Sequence, residues 1–245
     1  MILYFHGGSW LYGSKESFGS DAYNSCAQFG ITAATVNYRF TTFGDVDACA
    51  ILDDIQAAVA HIKNFAATKG LNIKKMMLYG YSAGAHLSLL YGYTRREVSP
   101  VRPVCVFDKS GPASLANLQY FDWSSGLMMP MSCLCGFWYT KETAAYEVEP
   151  LLRVSPWTYV DSNSLPTVVC HGAQDDVVAT YTIVIYGDVT GDGYVDAFDV
   201  SNLSEYINNF DEPSGIAFKK SVDIVEDGFL DATDLAYLIS ITNFE

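Results

Sequence analysis

The sequence predicts an α/β domain on a mainly parallel sheet with flanking helices, followed by a small all-α module. Three observations carry this. Short apolar runs alternate with helix-length segments over residues 1–180. The acids crowd into the last quarter: residues 187–245 hold 13 acids and two bases, a charge of −11, against −3 for residues 1–186. That last stretch also holds one twelve-residue pattern twice, 35 positions apart.

Composition bounds the function. Of 245 residues, 50% are hydrophobic and 17% charged, which excludes a wholly disordered chain. No uncharged apolar run reaches the roughly 18 residues of a membrane span. The net charge of −14 argues against nucleic acid as a partner, because phosphate binding needs a basic face. All six cysteines precede the acidic stretch. Cys105 and Cys170 sit in apolar strand-like runs, where a free buried thiol is expected. Cys133-x-Cys135 alone is a weak metal or disulfide signal.

The first element is a core strand, Ile2–Phe5, running straight into His6-Gly7-Gly8. A basic region and small-residue cleavage site of a signal peptide are not seen there. The chain is expected to begin inside a domain, as a fragment or with a misplaced start. Further strands are expected at Thr32–Asn37, Met76–Gly80, Val104–Phe107 and Thr167–Cys170. Between them, Ala48–Ala67 repeats Ile51, Ile55, Val59 and Ile62 at helical steps, one apolar face. Strand and helix in alternation make a parallel sheet covered by helices. Such sheets carry their working residues on loops at the carboxyl ends of the strands.

Two motifs fall at those ends. Gly80-Tyr81-Ser82-Ala83-Gly84 follows one strand and precedes the helical Ala85–Tyr93. This is G-x-S-x-G in the strand–turn–helix setting of a nucleophile elbow. The Ala83 amide, at the helix start, points where an oxyanion would form. His6-Gly7-Gly8-Ser9-Trp10 follows the first strand, and its paired glycines let backbone amides approach a substrate oxygen.

These residues resemble the α/β-hydrolase superfamily, in its HGG-bearing esterase and lipase branch, and within it carbohydrate and feruloyl esterases. The matching segments are HGGSW at 6–10, VNYRF at 36–40, GYSAGAHLS at 80–88, SPWTYV at 155–160 and HGAQDDVV at 171–178. The resemblance implies Ser82 as nucleophile, the amides of Gly7, Gly8 and Ala83 as oxyanion hole, and Asp175 as the acid, with Asp176 the alternative. It implies no cofactor for this domain and an ester-decorated polysaccharide or oligosaccharide as substrate. It also places the catalytic histidine after one more helix and strand, about 25 residues at ordinary element lengths. Here eleven residues, 176–186, precede the acidic module, and none is His. His6 and His171 belong to strand-end motifs, His61 lies mid-helix, and His86 is carried back from Ser82 by the helix. Each reads as structural. The strands that the family places before HGG are missing as well, so the fold is expected to be an incomplete α/β-hydrolase with an uncovered sheet edge.

The acidic stretch closes the chain. Asp188-Val-Thr-Gly-Asp-Gly-Tyr-Val-Asp-Ala-Phe-Asp199 and Asp223-Ile-Val-Glu-Asp-Gly-Phe-Leu-Asp-Ala-Thr-Asp234 place acids at positions 1, 5, 9 and 12 and glycine at 6. That is EF-hand-like calcium-loop spacing, for two ions. The expected ligands are Asp188, Thr190, Asp192, Tyr194 (through its carbonyl), Asp196 and Asp199 in loop one. In loop two they are Asp223, Asp227, Phe229 (through its carbonyl), Asp231 and Asp234. Val225 stands where loop one has Thr190. Helices follow, with Leu203, Ile207 and Phe210 on one face and Leu235, Leu238 and Thr242 on another.

The duplicated loop–helix unit resembles the dockerin type I module of cellulosomal enzymes. That resemblance implies a scaffoldin cohesin as partner, read in part by Ala197, Phe198, Ala232 and Thr233, and a secreted, extracellular (cellulosomal) location. The expected division is 1–182 for the hydrolase, 183–186 for a short β-rich junction and 187–245 for the dockerin. The expected function is a cellulosome-associated serine esterase. The alternative is an inactive or truncated hydrolase that serves only as a cohesin-binding module.

Overall fold

The computed structural model describes residues 1–115, 126, 128–138, 140, 149–171, 189, 197–209, 222, 224–225 and 230–242. Contacts between Cα atoms divide the chain into two compact units, Met1–Tyr181 and Thr182–Glu245.

The first unit follows the expected alternation. Its elements are β1 (Ile2–Phe5), α1 (Gly19–Phe29), β2 (Ala33–Val36), α2 (Ala48–Thr68), β3 (Lys75–Tyr81), α3 (Ala83–Thr94), β4 (Arg102–Lys109), α4 (Met128–Cys135), α5 (Glu149–Arg153) and β5 (Thr167–Cys170), with short 3-10 turns at Lys15–Phe18 and Pro156–Tyr159. The five strands form one sheet in the order β2-β1-β3-β4-β5, every pair parallel. This is the parallel α/β sheet that the alternating pattern predicts. The strand at 32–37 is shorter than expected, and those at 76–80 and 104–107 are longer.

Register places the site. Phe5 pairs with Val36 on one side and Gly80 on the other, and Gly80 pairs with Asp108. Those four residues form one row across the sheet, so the loops after β1, β2, β3 and β4 all leave from the same end. Two helices pack on the sheet by different means. In α2, Asp47 caps the first turn by accepting from the Ala50 amide at 3.0 Å, and Ile51, Leu52, Ile55 and Val59 are buried along one stripe. In α3, every residue from Ala83 to Gly92 is buried, so this helix runs through the core.

One expectation is corrected here. Cys170 is exposed and Cys105 only half-buried, and both thiols are free. Among the described residues β5 is an outer strand with β4 as its one neighbour, so its apolar side chains are left uncovered.

In the second unit, α6 (Ala197–Asn209) and α7 (Ala232–Thr242) share a small core of Val189, Leu203, Val222, Ile224 and Leu238. Ile207 and Leu235 pack against it, as the helical spacing predicts. Phe210 and the side chain of Thr242 lie outside the described residues. Among the described residues no helix is long and apolar enough to cross a membrane.

Candidate active site

Ser82 is the residue between β3 and α3, and its backbone is strained at φ 52°, ψ −122°. A non-glycine residue there costs about 1–3 kcal/mol and persists only where its surroundings hold it. The surroundings are explicit. The Ser82 amide donates to the Lys109 carbonyl at 2.9 Å, and its own carbonyl accepts from Ala85 and His86 at 2.9 and 3.1 Å. Its side chain makes no capping bond to α3, so the hydroxyl is not spent on the helix. The glycine on the helix side of Ser82 is a steric requirement: a Cβ on Gly84 would run into the carbonyls of Phe5 and His6.

The structure brings the two strand-end motifs together. A Cβ on Gly7 would lie 3.3 Å from Ser82 Cβ and 3.1 Å from the Tyr81 ring. The turn after β1 is folded back on itself, with the amides of Leu11 and Tyr12 donating to Gly8 O at 2.9 and 3.1 Å. Gly8 has φ 115°, which a side chain would resist. Ala83 occupies the first turn of α3, where amides have no intrahelical acceptor and the helix dipole favours negative charge. Gly7 and the first turn of α3 thus bring backbone up to Ser82, while the space beside Gly8 is taken by Tyr12.

The four histidines fall elsewhere. His86 is fully buried. Its Nε2–H donates to Val154 O at 2.7 Å, and Trp10 meets its ring edge-on at 5.2 Å. Burial pushes its pKa down to about 4, so it is neutral. His6 is buried, its Nδ1–H donates to Gly7 O at 2.8 Å, and its ring stacks on Tyr38 at 4.4 Å. The Tyr38 hydroxyl donates to His6 O at 2.7 Å, and burial drives that hydroxyl's pKa far up. His61 is exposed on α2 beside Phe65, and His171 directly follows β5. Asp175 and Asp176 lie outside the described residues.

Asp108 was not singled out by the sequence reading. It is fully buried at the end of β4, and its Oδ1 accepts from the Gly111 amide at 2.8 Å. That closes a turn in which Ser110 has φ 54° and Gly111 packs on α3, where a Cβ would lie 2.5 Å from Ala85 Cβ. Asp108 therefore braces the start of α3. The available signal was an Asp three residues before a glycine at a strand end, an Asx-type turn.

In the second unit three of the loop acids are described. Asp199 and Asp234, both at position 12, are fully buried, and Asp231 is exposed. Asp234 Oδ1 accepts from Ile224 and Val225 at 2.7 and 3.1 Å, and its Oδ2 accepts from Asp231 at 3.0 Å. A carboxylate offers about four lone-pair sites, so these bonds leave room for a cation. The Thr233 hydroxyl, and then the Thr233 amide that donates to Asp231 Oδ1 at 2.7 Å, hold the Asp231 carboxyl pKa below the usual range. Buried carboxylates on an oxygen-only loop fit a hard divalent ion. Asp188, Thr190, Asp192, Tyr194, Asp196, Asp223, Asp227 and Phe229 lie outside the described residues, as do the side chains of Ala197 and Phe198. Ala232 and Thr233 are exposed at the start of α7.

Comparison with known proteins agrees with both halves. The sequence model of the BD-FAE family matches residues 1–184, and that of the dockerin type I domain matches residues 186–241. An AB hydrolase superfamily protein of Schizosaccharomyces pombe is 26% identical over 207 residues, covering 78% of this chain and 58% of its own length. A bifunctional GH43-CE protein of Bacteroides eggerthii superposes with a TM-score of 0.56 at 23% identity, covering 69% of this chain and 26% of that one. Thermogutta terrifontis esterase 2 superposes with a TM-score of 0.54 at 20% identity, covering 72% of this chain and 63% of that one. The chain thus spans just over half the length of the yeast relative. The two structures share its parallel-sheet α/β fold.

Proposed function

The chain belongs to the BD-FAE family and carries a dockerin type I domain, and on that footing we propose a serine esterase site that acts on ester-decorated plant polysaccharide. The observation that carries the proposal is the approach of Gly7 to within 3.3 Å (from an added Cβ) of Ser82 Cβ. Ser82 Oγ attacks the ester carbonyl carbon, and its proton passes by way of solvent to the alcohol oxygen as the C–O bond breaks. On attack the carbonyl oxygen becomes an oxyanion held by the amides of Gly7, Gly8 and Ala83, with the dipole of α3 adding to the stabilisation. The alcohol leaves, and water releases the acid from the acyl-serine. Asp175 is proposed to orient the base. The base itself is the weak point: His6 and His86 are buried with a ring nitrogen bound to a carbonyl, and His61 lies out on α2. A serine site without its base keeps only about 10³–10⁴-fold catalysis over water.

The dockerin domain is proposed to dock the chain to a scaffoldin cohesin outside the cell, through Ala197, Phe198, Ala232 and Thr233. Calcium, when bound, would supply the positive charge that gathers the acids of each loop ahead of the helix that follows. Asp199 and Asp234 would hold it from within the core, with Asp231 and the remaining loop acids completing the sites.

A second reading is favoured by the histidine positions: a cohesin-docked module without turnover. Hydrolysis of a small aryl acetate by the chain and by Ser82→Ala separates the two. The esterase reading expects a low rate that Ser82→Ala removes. Equal rates would leave only the docking role. Rapid turnover lost in the variant would mean that a resident histidine has been recruited.

A further inference from the structure

We propose that Lys109 selects substrate charge at the Ser82 site: its ammonium receives a carboxylate carried by the ester. The inference rests on the esterase reading and narrows it from esters at large to esters that bear a negative charge.

Register sets the position. Tyr81 ends β3, Lys109 ends β4, and the two are paired across the sheet. Paired residues of neighbouring strands point to the same face. Gly80 faces α3, since a Cβ there would meet Gly84 and Ala85, so Tyr81 and Lys109 stand on the opposite face. One step below them on that face, Tyr79 stacks on Phe107 with ring centroids 4.9 Å apart at 8°. The Tyr81–Lys109 pair thus tops a packed row and stands at the carboxyl end of the sheet.

Two contacts tie this pair to the nucleophile. The Ser82 amide donates to Lys109 O at 2.9 Å. A Cβ on Gly7 would lie 3.1 Å from Tyr81 Cδ1 and 3.3 Å from Ser82 Cβ, so the ring edge and the serine side chain flank one point. Lys109 Nζ lies over that same ring, 5.8 Å from its centroid. One ring separates the ammonium from the serine.

The charge is unspent. Arg39, Arg95, Arg96 and Arg153 each reach an acid, whereas among the described residues the Lys109 ammonium has the Tyr81 ring and no carboxylate as its partner. Lys109 is exposed, and so is Tyr81 at 48%. An aromatic face holds an ammonium in place without neutralising it, and leaves the other side of the charge open to an anion. A carboxylate that arrives there meets a cation already positioned, in a chain whose net charge of −14 otherwise repels it. The carboxylate sits on either the acyl or the alcohol half of the ester, since both bring the same group to the ammonium.

The test follows hydrolysis in the presence of imidazole by the full chain, Lys109→Met, Lys109→Arg and Ser82→Ala. The substrates are neutral 4-nitrophenyl acetate, 4-nitrophenyl hemisuccinate (carboxylate on the acyl half) and 4-acetoxybenzoate (carboxylate on the alcohol half). For one of the two anionic esters, kcat/KM should fall about three- to fivefold in Lys109→Met, through KM, and recover in Lys109→Arg. About 1 M salt should remove the difference, and acetate hydrolysis should be unchanged throughout. The ester that responds assigns the carboxylate to the acyl or the alcohol half. An equal loss on acetate, or no loss on either anionic ester, overturns the proposal. If none of the three shows Ser82-dependent hydrolysis, the esterase reading falls, and calorimetric titration with N-phenylsuccinamate decides the carboxylate site on its own. Binding that Lys109→Met loses and Lys109→Arg keeps upholds it; no binding, or equal binding by parent and Lys109→Met, overturns it.

Discussion

Gly7 lies so close to Ser82 that a Cβ on the glycine would stand 3.3 Å from the serine's Cβ. They belong to loops that leave neighbouring strands, and the pairing of Phe5 with Gly80 sets their level. Two motifs more than 70 residues apart in sequence become one site through that register.

Gly7→Ala should therefore damage chemistry more than folding. The new methyl would press on the Tyr81 carbonyl and ring at 3.0 and 3.1 Å and shift the amides meant for the oxyanion. Losing one oxyanion donor costs about 10²–10³ in rate. The Ser82-dependent part of aryl acetate hydrolysis should fall by about that factor while the urea midpoint moves little. A large midpoint shift with the rate per folded molecule intact would oppose this.

Gly84→Ala should act the other way round. Its Cβ meets backbone, the carbonyls of Phe5 and His6, which cannot swing aside. Overpacking of this kind costs about 1–3 kcal/mol. Urea unfolding should show that loss, and an unchanged midpoint would mean that α3 and β1 can separate freely.

These two motifs and the face of α2 were legible because each is a local pattern: glycines at fixed offsets, or apolar residues at helical spacing. Asp108 was not, because its role depends on β4 standing beside β3. Helix α1 shows the same limit. Its Tyr23 and Phe29 are exposed and Ser25 is its one buried residue, so apolar spacing does not tell which face it turns inward; it is tied to the sheet by Ser25 meeting the Tyr4 hydroxyl at 2.8 Å. The exposure of Cys170 followed from its strand's place at the outside of the sheet among the described residues, which composition does not encode. The edge-on contact of Phe43 with Trp138 joins loops nearly a hundred residues apart, which no local pattern encodes.

His86 should make stability pH-dependent. Its pKa is lowered from 6.5 to about 4, so between those values the unfolded chain binds the proton and the native one does not. Stability from this group is full above pH 6.5 and is lost as pH falls toward 4, by about 3 kcal/mol. His86→Gln keeps a donor for Val154 O and does not titrate. Urea midpoints at pH 7 and 4.5 should drop less in the variant than in the parent. Equal drops would contradict the assignment.

The two proposed calcium loops should differ. Loop one has Thr190 at position 3 and loop two has Val225, whose amide is already bound to Asp234. Affinity follows ligand number and charge, and water can replace the missing oxygen. Calorimetry on the full chain should resolve a tighter and a looser site. Asp188→Ala should remove the tighter, and Val225→Asn should strengthen the looser. Two indistinguishable sites would refute the ligand count.

The central claim is that Ser82 and its oxyanion hole are in place while no resident histidine serves as base. Chemical rescue tests it most directly: aryl acetate hydrolysis is followed against added imidazole, for the chain and for Ser82→Ala. The account predicts a low rate without imidazole and a saturable, imidazole-dependent increase that Ser82→Ala lacks. Rapid Ser82-dependent turnover without imidazole, or the same imidazole dependence in both proteins, would contradict it.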